Sequence, residues 1–442
     1  MILAGPTGAD SLVIRAARVL DPGEGLDATL DVRIDEGVIT RIGNDLDAGD
    51  LRMVDAGGML LAPAFIDPHV HLRTPGREVD ETIESGTAAA AAGGYCAILA
   101  VPNTEPVVDD PNLLRGLRAR AVEEARVPVG FLAALTKDQD GEELTEMGAL
   151  ADAGAAGFTD DGRPVASAGV MRRALQYNAI TGLTIAVHCE EQSLTRGGHA
   201  HAGAVATELG IGGWPSLGES LMVARDIDLA GDTGQAVHLM HLSARESVEH
   251  LRRAHVAGVR ASAEATPHHL CLTDEAIRTL DTDFKMNPPL RTESDRTALI
   301  DAVRDGTIAA IATDHAPHSP EAKNAPFESA PFGVIGLETA FSSLYTELVE
   351  SGLLSLETLL VRMSAGPAAI FGLERPRIAV GERANVTLID TAGSWRVKPE
   401  TLRSRSLNSW LLGRRLRGRI CLTVAAGAVA HDGIAQSSLV SA

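Results

Sequence analysis

The chain has 442 residues, enough for one large barrel with an appendage or for two domains. Its formal net charge of −20 argues against a nucleic-acid partner, which needs a positive footprint. A hydrophobic content of 45% with no run of membrane-span length describes a folded globular protein, and neither a secretion signal nor a span is expected. The simplest location is the cytoplasm. In chain order, residues 10–62 read as short β pieces, with "DVRID" and "VITRI" alternating about a "DEG" turn as in a hairpin. From 63 to 374 the rhythm changes to short apolar runs alternating with helical stretches. The runs are "AFIDPHV", "YCAILAVPN", "PVGFLAAL", "AAGFTDDG", "LTIAVHCE", "QAVHLMHLS", "VRASAEATPHH" and "TIAAIATDH". Residues 375–442 return to β texture in "ANVTLIDTAG" and "GRICLTVAAGAVAHDG".

This order predicts an α/β fold: a (β/α)8 TIM-like barrel over 63–374, with a small β-sandwich assembled from residues 1–62 and 375–442. A doubly wound open sheet is the alternative, but no G-x-G-x-x-G or Walker sequence favours it. Cys96, Cys189, Cys271 and Cys421 are widely spaced in or beside apolar segments, so free thiols are expected.

The polar ends of the runs carry metal-ligand chemistry. His69 and His71 in "FIDPHVHLRTPG" stand two apart, on one face of a strand, and imidazole is the commonest protein ligand for zinc. Asp160, Asp161, His188, His238, His241, His268, His269, Asp314, His315 and His318 crown the later runs. A barrel brings such residues to one mouth, where imidazoles and carboxylates can build a binuclear hydrolase. Bland readings stand beside the sharp one. His238 and His241 face opposite ways on a strand, so only His241, nearer the end, is expected to ligate. His199 and His201 lie in a Gly-rich loop; His250 and His255 belong to a helix surface; His268 and His269 suit packing; His431 suits the terminal sheet.

Taken together, "DPHVHLRTPG", "VPNTEPVVDD", "FTDDG", "VHCE", "HLS", "ATPHHL", "KMNPPLR", "ATDHAPH" and "APFGVIGLETA" resemble the bacterial class I dihydroorotases of the amidohydrolase superfamily. The resemblance spans about residues 10–425 and is strongest over 65–340. It implies one zinc ion at His69, His71 and Asp314, and a second at His188 and His241, bridged by Asp161. Arg73, Asn103 and His318 match positions that grip a substrate carboxylate, with His71 beside them. Asn287 and the Phe332–Gly333 backbone match positions that contact the pyrimidine ring. Asp314 is implied as the proton shuttle in the reversible hydrolysis of (S)-dihydroorotate to N-carbamoyl-L-aspartate, a step of pyrimidine biosynthesis. A homodimer and a complex with aspartate transcarbamoylase are implied as partners. Thr74, Ala64 and the "NSWLLGRRLRGR" tail depart from the family pattern.

Two other readings remain open. A hydantoinase- or allantoinase-like cyclic amidase bridges its metals with a carboxylated lysine, and Lys137 is the one lysine between His71 and His188. An inactive scaffold subunit of aspartate transcarbamoylase would have lost ligands, and none is missing. Asp161 follows the apolar "AAGF" run at a strand end, so it is the expected bridge, with Asp160 turned away.

Overall fold

The computed structural model describes residues 3–434; residues 1–2 and 435–442, the outer ends of the two terminal segments, lie outside the described residues. In chain order the first strands are β1 (Leu12–Asp21), β2 (Leu26–Asp35), β3 (Val38–Gly43), β4 (Arg52–Asp55) and β5 (Leu60–Pro63). The next are β6 (Phe65–Val70), β7 (Tyr95–Ala100), β8 (Val129–Ala133), β9 (Gly157–Phe158) and β10 (Ala186–Val187). Two short strands follow, β11 (Ala200–His201) and β12 (Gly213–Trp214), then β13 (Val237–Leu239), β14 (Ala261–Ala265) and β15 (Ala310–Ile311). β16 (Val386–Arg396), β17 (Arg415–Ala425) and β18 (Ala428–Asp432) complete the order.

Strands β6 to β9 pair in parallel, as do β10, β13, β14 and β15. Parallel bridges between Phe158 and Ile185, and between Val70 and His315, join the two sets into a ring of eight. This is the expected (β/α)8 barrel. β6, β7 and β8 are buried at every position, as strands covered on both faces must be, which is why they read as continuous apolar runs. The closing seam has its own polar tie. Asp67, fully buried in β6, accepts from the Thr313 backbone N–H at 3.2 Å and from Thr313 Oγ1 at 2.5 Å.

Helices cover the ring where the sequence has caps. The helix Ile83–Ala92 begins where Thr82 Oγ1 accepts the Ser85 N–H at 3.0 Å and ends at Gly93, and its small alanines let it lie close to β7. Glu293–Asp305 opens with a Thr292–Asp295 capping box and stops at Gly306, which is left-handed at φ 90°.

The chain ends meet in one sheet of order β18-β17-β16-β5-β1-β2-β3, with β4 paired to β1. It curls over its own apolar core, which includes Ile14, Val32, Ile39, Leu61, Leu388 and Leu422. The β2–β3 hairpin turns at Glu36–Gly37, as the alternation predicts. β5 is shared by logic as well as place: it pairs with β16 and leads within two residues into β6, so the first barrel strand is anchored to the terminal sheet.

Candidate active site

All the crowning residues assigned to the metals sit at or just beyond the C-terminal ends of barrel strands, the face on which a (β/α)8 barrel builds its chemistry. His69 and His71 end β6, Asp161 follows β9, His188 follows β10, His241 follows β13 and Asp314 follows β15. Asp161 is the hub. Its carboxylate oxygens lie 3.4 Å from His69 Nε2, 3.5 Å from His71 Nε2, 3.7 Å from His188 Nδ1 and 3.5 Å from His241 Nε2. Asp314 Oδ1 stands 2.9 Å from His71 Nε2 and 3.4 Å from His69 Nε2. Two sets of three donors, His69–His71–Asp161 and Asp161–His188–His241, each lie within 4.8 Å of one another. His69 Nε2 is buried without a hydrogen-bond partner, although Asp161 and Asp314 are near. An imidazole lone pair aimed at two carboxylates and bonded to neither fits a divalent cation between them.

The electrostatics agree with that geometry. Burial alone would raise the Asp161 carboxyl, yet the surrounding imidazoles, His69 foremost, hold it well below the usual carboxylate range. Asp314 is lowered in the same way against its own burial. Burial would also lower His69, but the charges of Asp161 and Asp314 outweigh it. These groups are a concentrated set of mutual attractions around one point, as hard-ligand sites are.

Neighbouring groups fix which ring nitrogen faces inward. Glu264 accepts from His69 Nδ1 at 2.9 Å, Asn103 Oδ1 from His71 Nδ1 at 3.0 Å, and Glu190 from His188 Nε2 at 3.1 Å. Each leaves the opposite nitrogen for a metal. Glu264 also accepts from His238 Nε2 at 3.0 Å, so His238 lies behind the site while His241 faces it, as the strand alternation requires. Asp160 turns away too, capping the Leu135 and Thr136 N–H groups at 2.8 and 3.1 Å. Sequence reasoning passed over Glu264 and Glu190. The available signal for Glu264 was an acid in "ASAEA", a strand that the barrel buries on both faces.

Three of the ten non-glycine residues with positive φ among the described residues stand at the site. Arg73, His241 and Asp314 have φ of 55°, 32° and 47°, a left-handed region in which non-glycine residues cost about 1–3 kcal/mol each. Such conformations persist only where surrounding contacts dictate them.

A cavity of about 200 Å³ opens onto the cluster, lined by Arg73, Asn103, Asn287, His318, Phe332 and Gly333 along with the metal-facing residues. That is below the roughly 300 Å³ at which pockets for drug-sized ligands begin, so it suits a molecule of one small ring. Every residue assigned to substrate recognition is therefore brought together here. Arg73 is buried, and its nitrogens meet Pro317 O at 3.1 Å and the rings of His71 and His318 at 3.5 Å, with no carboxylate among those partners. Burial draws its pKa down to about 10, which leaves it cationic at neutral pH. Asn287 Oδ1 is buried without a partner. His318 Nε2 donates to Phe332 O at 2.7 Å while Nδ1 receives Arg77, so a bond from His318 to a ligand would have to take that N–H from Phe332.

The remaining histidines keep to bland roles. His255 is exposed on the helix Arg245–Val256, and His268 and His269 are buried on the short helix Pro267–Cys271. His199 and His201 do not form a bare loop: β11 pairs with β12, Arg291 Nη1 lies 3.3 Å from His201 Nδ1, and His199 stacks on Phe332 at 6.5 Å. All four cysteines are free thiols. A larger cavity of about 460 Å³, bordered by Trp395, Arg396 and Arg419, contains none of the site residues.

Comparison with known proteins places this arrangement. A family model described as "Dihydro-orotase-like" matches residues 58–247. The dihydroorotase of Pelotomaculum thermopropionicum is 44% identical over 418 residues, covering 95% of this chain and 98% of that protein. That of Geobacillus kaustophilus is 46% identical over 403 residues, covering 91% and 94%. Among solved structures, the L-hydantoinase of Arthrobacter aurescens superposes with a TM-score of 0.86 at 24% identity, covering 96% of each chain, a likeness of fold. With near-complete coverage by relatives at this identity, and the site residues that the resemblance assigns gathered at one barrel mouth, the chain belongs to the dihydroorotase family.

Proposed function

We propose that the protein is a dihydroorotase, catalysing the reversible hydrolysis of (S)-dihydroorotate to N-carbamoyl-L-aspartate in pyrimidine biosynthesis. The observation that carries this reading is the buried Arg73 guanidinium, unpaired with any carboxylate among its partners, on the wall of a one-ring cavity whose floor is the Asp–His cluster. Dihydroorotate is a cyclic ureide bearing one carboxylate, and a planar guanidinium fork matches that anion.

His69, His71 and Asp314 would hold one ion and His188 and His241 a second, with Asp161 between them; nitrogen-rich donors suit zinc. Ions bound there supply Lewis acidity, making a water nucleophilic near neutral pH and polarising the ring carbonyl. Asp314, held ionised, accepts the proton of the attacking water and delivers it to the departing ring nitrogen. The water oxygen adds to the ring carbonyl carbon; the carbonyl then re-forms as the ring carbon–nitrogen bond breaks, the nitrogen leaving with the proton that Asp314 took from the water. In reverse the same groups close carbamoyl-aspartate with loss of water. Arg73 and the Asn103 amide bind the substrate carboxylate, with His318 and His71 beside them. Asn287 Oδ1 accepts a ring N–H, and the Phe332–Gly333 turn lies against the ring.

A carboxylated-lysine bridge finds no support: Lys137 lies on a 3-10 turn, is exposed, and pairs with Glu143. We place the enzyme in the cytoplasm as a homodimer able to associate with aspartate transcarbamoylase, a reading that rests on the family alone. No helix among the described residues is long and apolar enough to cross a membrane. The test is steady-state turnover of dihydroorotate by the purified protein, with metal content measured on the same sample. Rapid hydrolysis with one or two zinc ions per chain is expected. Preference for uncharged hydantoins over dihydroorotate would overturn the assignment.

A further inference from the structure

The Phe332–Gly333 turn hangs on side chains from three separate parts of the chain. Lys285 is 2% exposed, and its ammonium donates to the carbonyls of Phe327 at 2.6 Å, Glu328 at 3.0 Å and Ala330 at 2.7 Å. An ammonium has three N–H donors, so these three carbonyls saturate it. It also stands 4.4 Å from the centre of the Phe332 ring. Lys323, 7% exposed, donates to Pro331 O at 3.2 Å and Gly333 O at 2.9 Å. Asn408 Nδ2 donates to Gly333 O at 3.1 Å and Ala316 O at 3.0 Å, its Oδ1 accepts the His318 N–H at 3.1 Å, and its carbonyl accepts the Ile335 N–H at 2.9 Å.

Five carbonyls of one loop are thus turned onto two buried cations. Burying an ammonium is costly unless every proton finds an acceptor, and a plain structural tie needs no charge. The chain has four lysines, and two of them are used here. The result is a turn whose polar groups are almost all committed. Phe332 O is taken by His318, Gly333 N–H by Lys285 O at 2.9 Å, and Gly333 O by Lys323 and Asn408. The Phe332 N–H is the one left without an acceptor among the described residues, and Phe332 lines the cavity.

We infer that Lys285, Lys323 and Asn408 are positioning residues for recognition of the substrate ring, holding the 327–333 loop so that the Phe332 N–H remains for the ligand. The inference rests on reading the cavity as the dihydroorotate site. None of the three side chains bonds to a metal-facing residue, so binding should suffer while chemistry persists.

The experiment is steady-state kinetics, metal analysis and hydrogen exchange on the metal-loaded full chain and its Lys285→Met, Lys323→Met and Asn408→Ala variants. The expected result is a KM for dihydroorotate raised about tenfold, the worth of one oriented hydrogen bond, with kcat within about threefold and metal content unchanged. Amides of residues 327–335 should exchange faster while the barrel strands do not. Lys323→Arg, which keeps the charge, should recover most of the KM. An unchanged KM in all three variants, or a lower kcat at constant KM, would overturn the inference. If the methionine variants do not fold, Asn408→Ser carries the same expectation, and an unaltered KM in that folded variant overturns it equally. A wild-type chain inert toward dihydroorotate would sink the substrate assignment instead; faster loop exchange in the variants would then still support the clamp, and unchanged exchange would refute it.

Discussion

Glu264 decides which nitrogen of His69 faces the metals. Its carboxylate, buried and yet held down to about 2 against that burial by His238 and His69, accepts the Nδ1 proton at 2.9 Å. Glu264→Gln keeps the shape but offers a neutral acceptor, so metal affinity should fall about 10–100-fold. Competition with a chromophoric chelator measures it, and an unchanged affinity would show that His69 needs no such partner. With Asp314 as the proposed proton acceptor, Asp314→Asn should cut kcat by about 10²–10⁴-fold, and near-normal turnover would exclude it from proton transfer. Arg73→Lys keeps charge and loses the fork, so dihydroorotate binding should weaken with metal content intact. At this scale the gathering of the candidate ligands was readable because imidazoles and carboxylates crowned apolar runs. Glu264 was not, because one acid in "ASAEA" looks like any half-exposed strand residue until the barrel covers both of its faces. Asn408 was less readable still: its partners lie 73 to 92 residues away, and no local pattern marks it.

Strand ends and turns give the site its precision. All eight runs became barrel strands, yet β9, β10 and β15 are only two residues long, far shorter than their apolar stretches. Hydrophobicity reports burial, and residues such as His188 or Asp314 are buried after the ladder has already opened into the mouth. The same opening allows the left-handed backbone at Arg73, His241 and Asp314, which no spacing rule foretells. Gly333 is the sharpest case, with φ 126° and a space in which a Cβ would meet the Ala316 Cβ at 2.7 Å. Gly333→Ala should destabilise the fold by about 1–3 kcal/mol and raise KM, read from denaturant unfolding and kinetics together. The turn carrying Lys137 points to the opposite kind of outcome. Lys137→Ala should keep its metal and most of its turnover, and added bicarbonate should change nothing; an inactive, bicarbonate-dependent enzyme would restore the carboxylated-lysine reading.

The whole molecule is a ring closed by polar ties and backed by a sheet from both chain ends. The return of β texture after residue 375 announced that sheet, and the order of its strands, with β5 between β1 and β16, waited on three-dimensional pairing. Because the candidate metal ligands come from five of the eight strand ends, ions bound there would cross-link the barrel. Stripping them with a chelator should lower the melting temperature and zinc should restore it, since a ligand at 1,000 times its Kd stabilises by about 4 kcal/mol. A melting curve indifferent to chelation would mean that the ring holds its shape without ions. The burial of Lys285 and Lys323 has one practical corollary. Their amines are shielded, whereas Lys137 and Lys398 are exposed. Amine-reactive dyes, cross-linkers and coupling resins will therefore find only those two side chains. Lys137 stands on the loop after β8, on the face of the mouth, whereas Lys398 borders the separate larger cavity and is the one through which the enzyme can be tethered clear of the site.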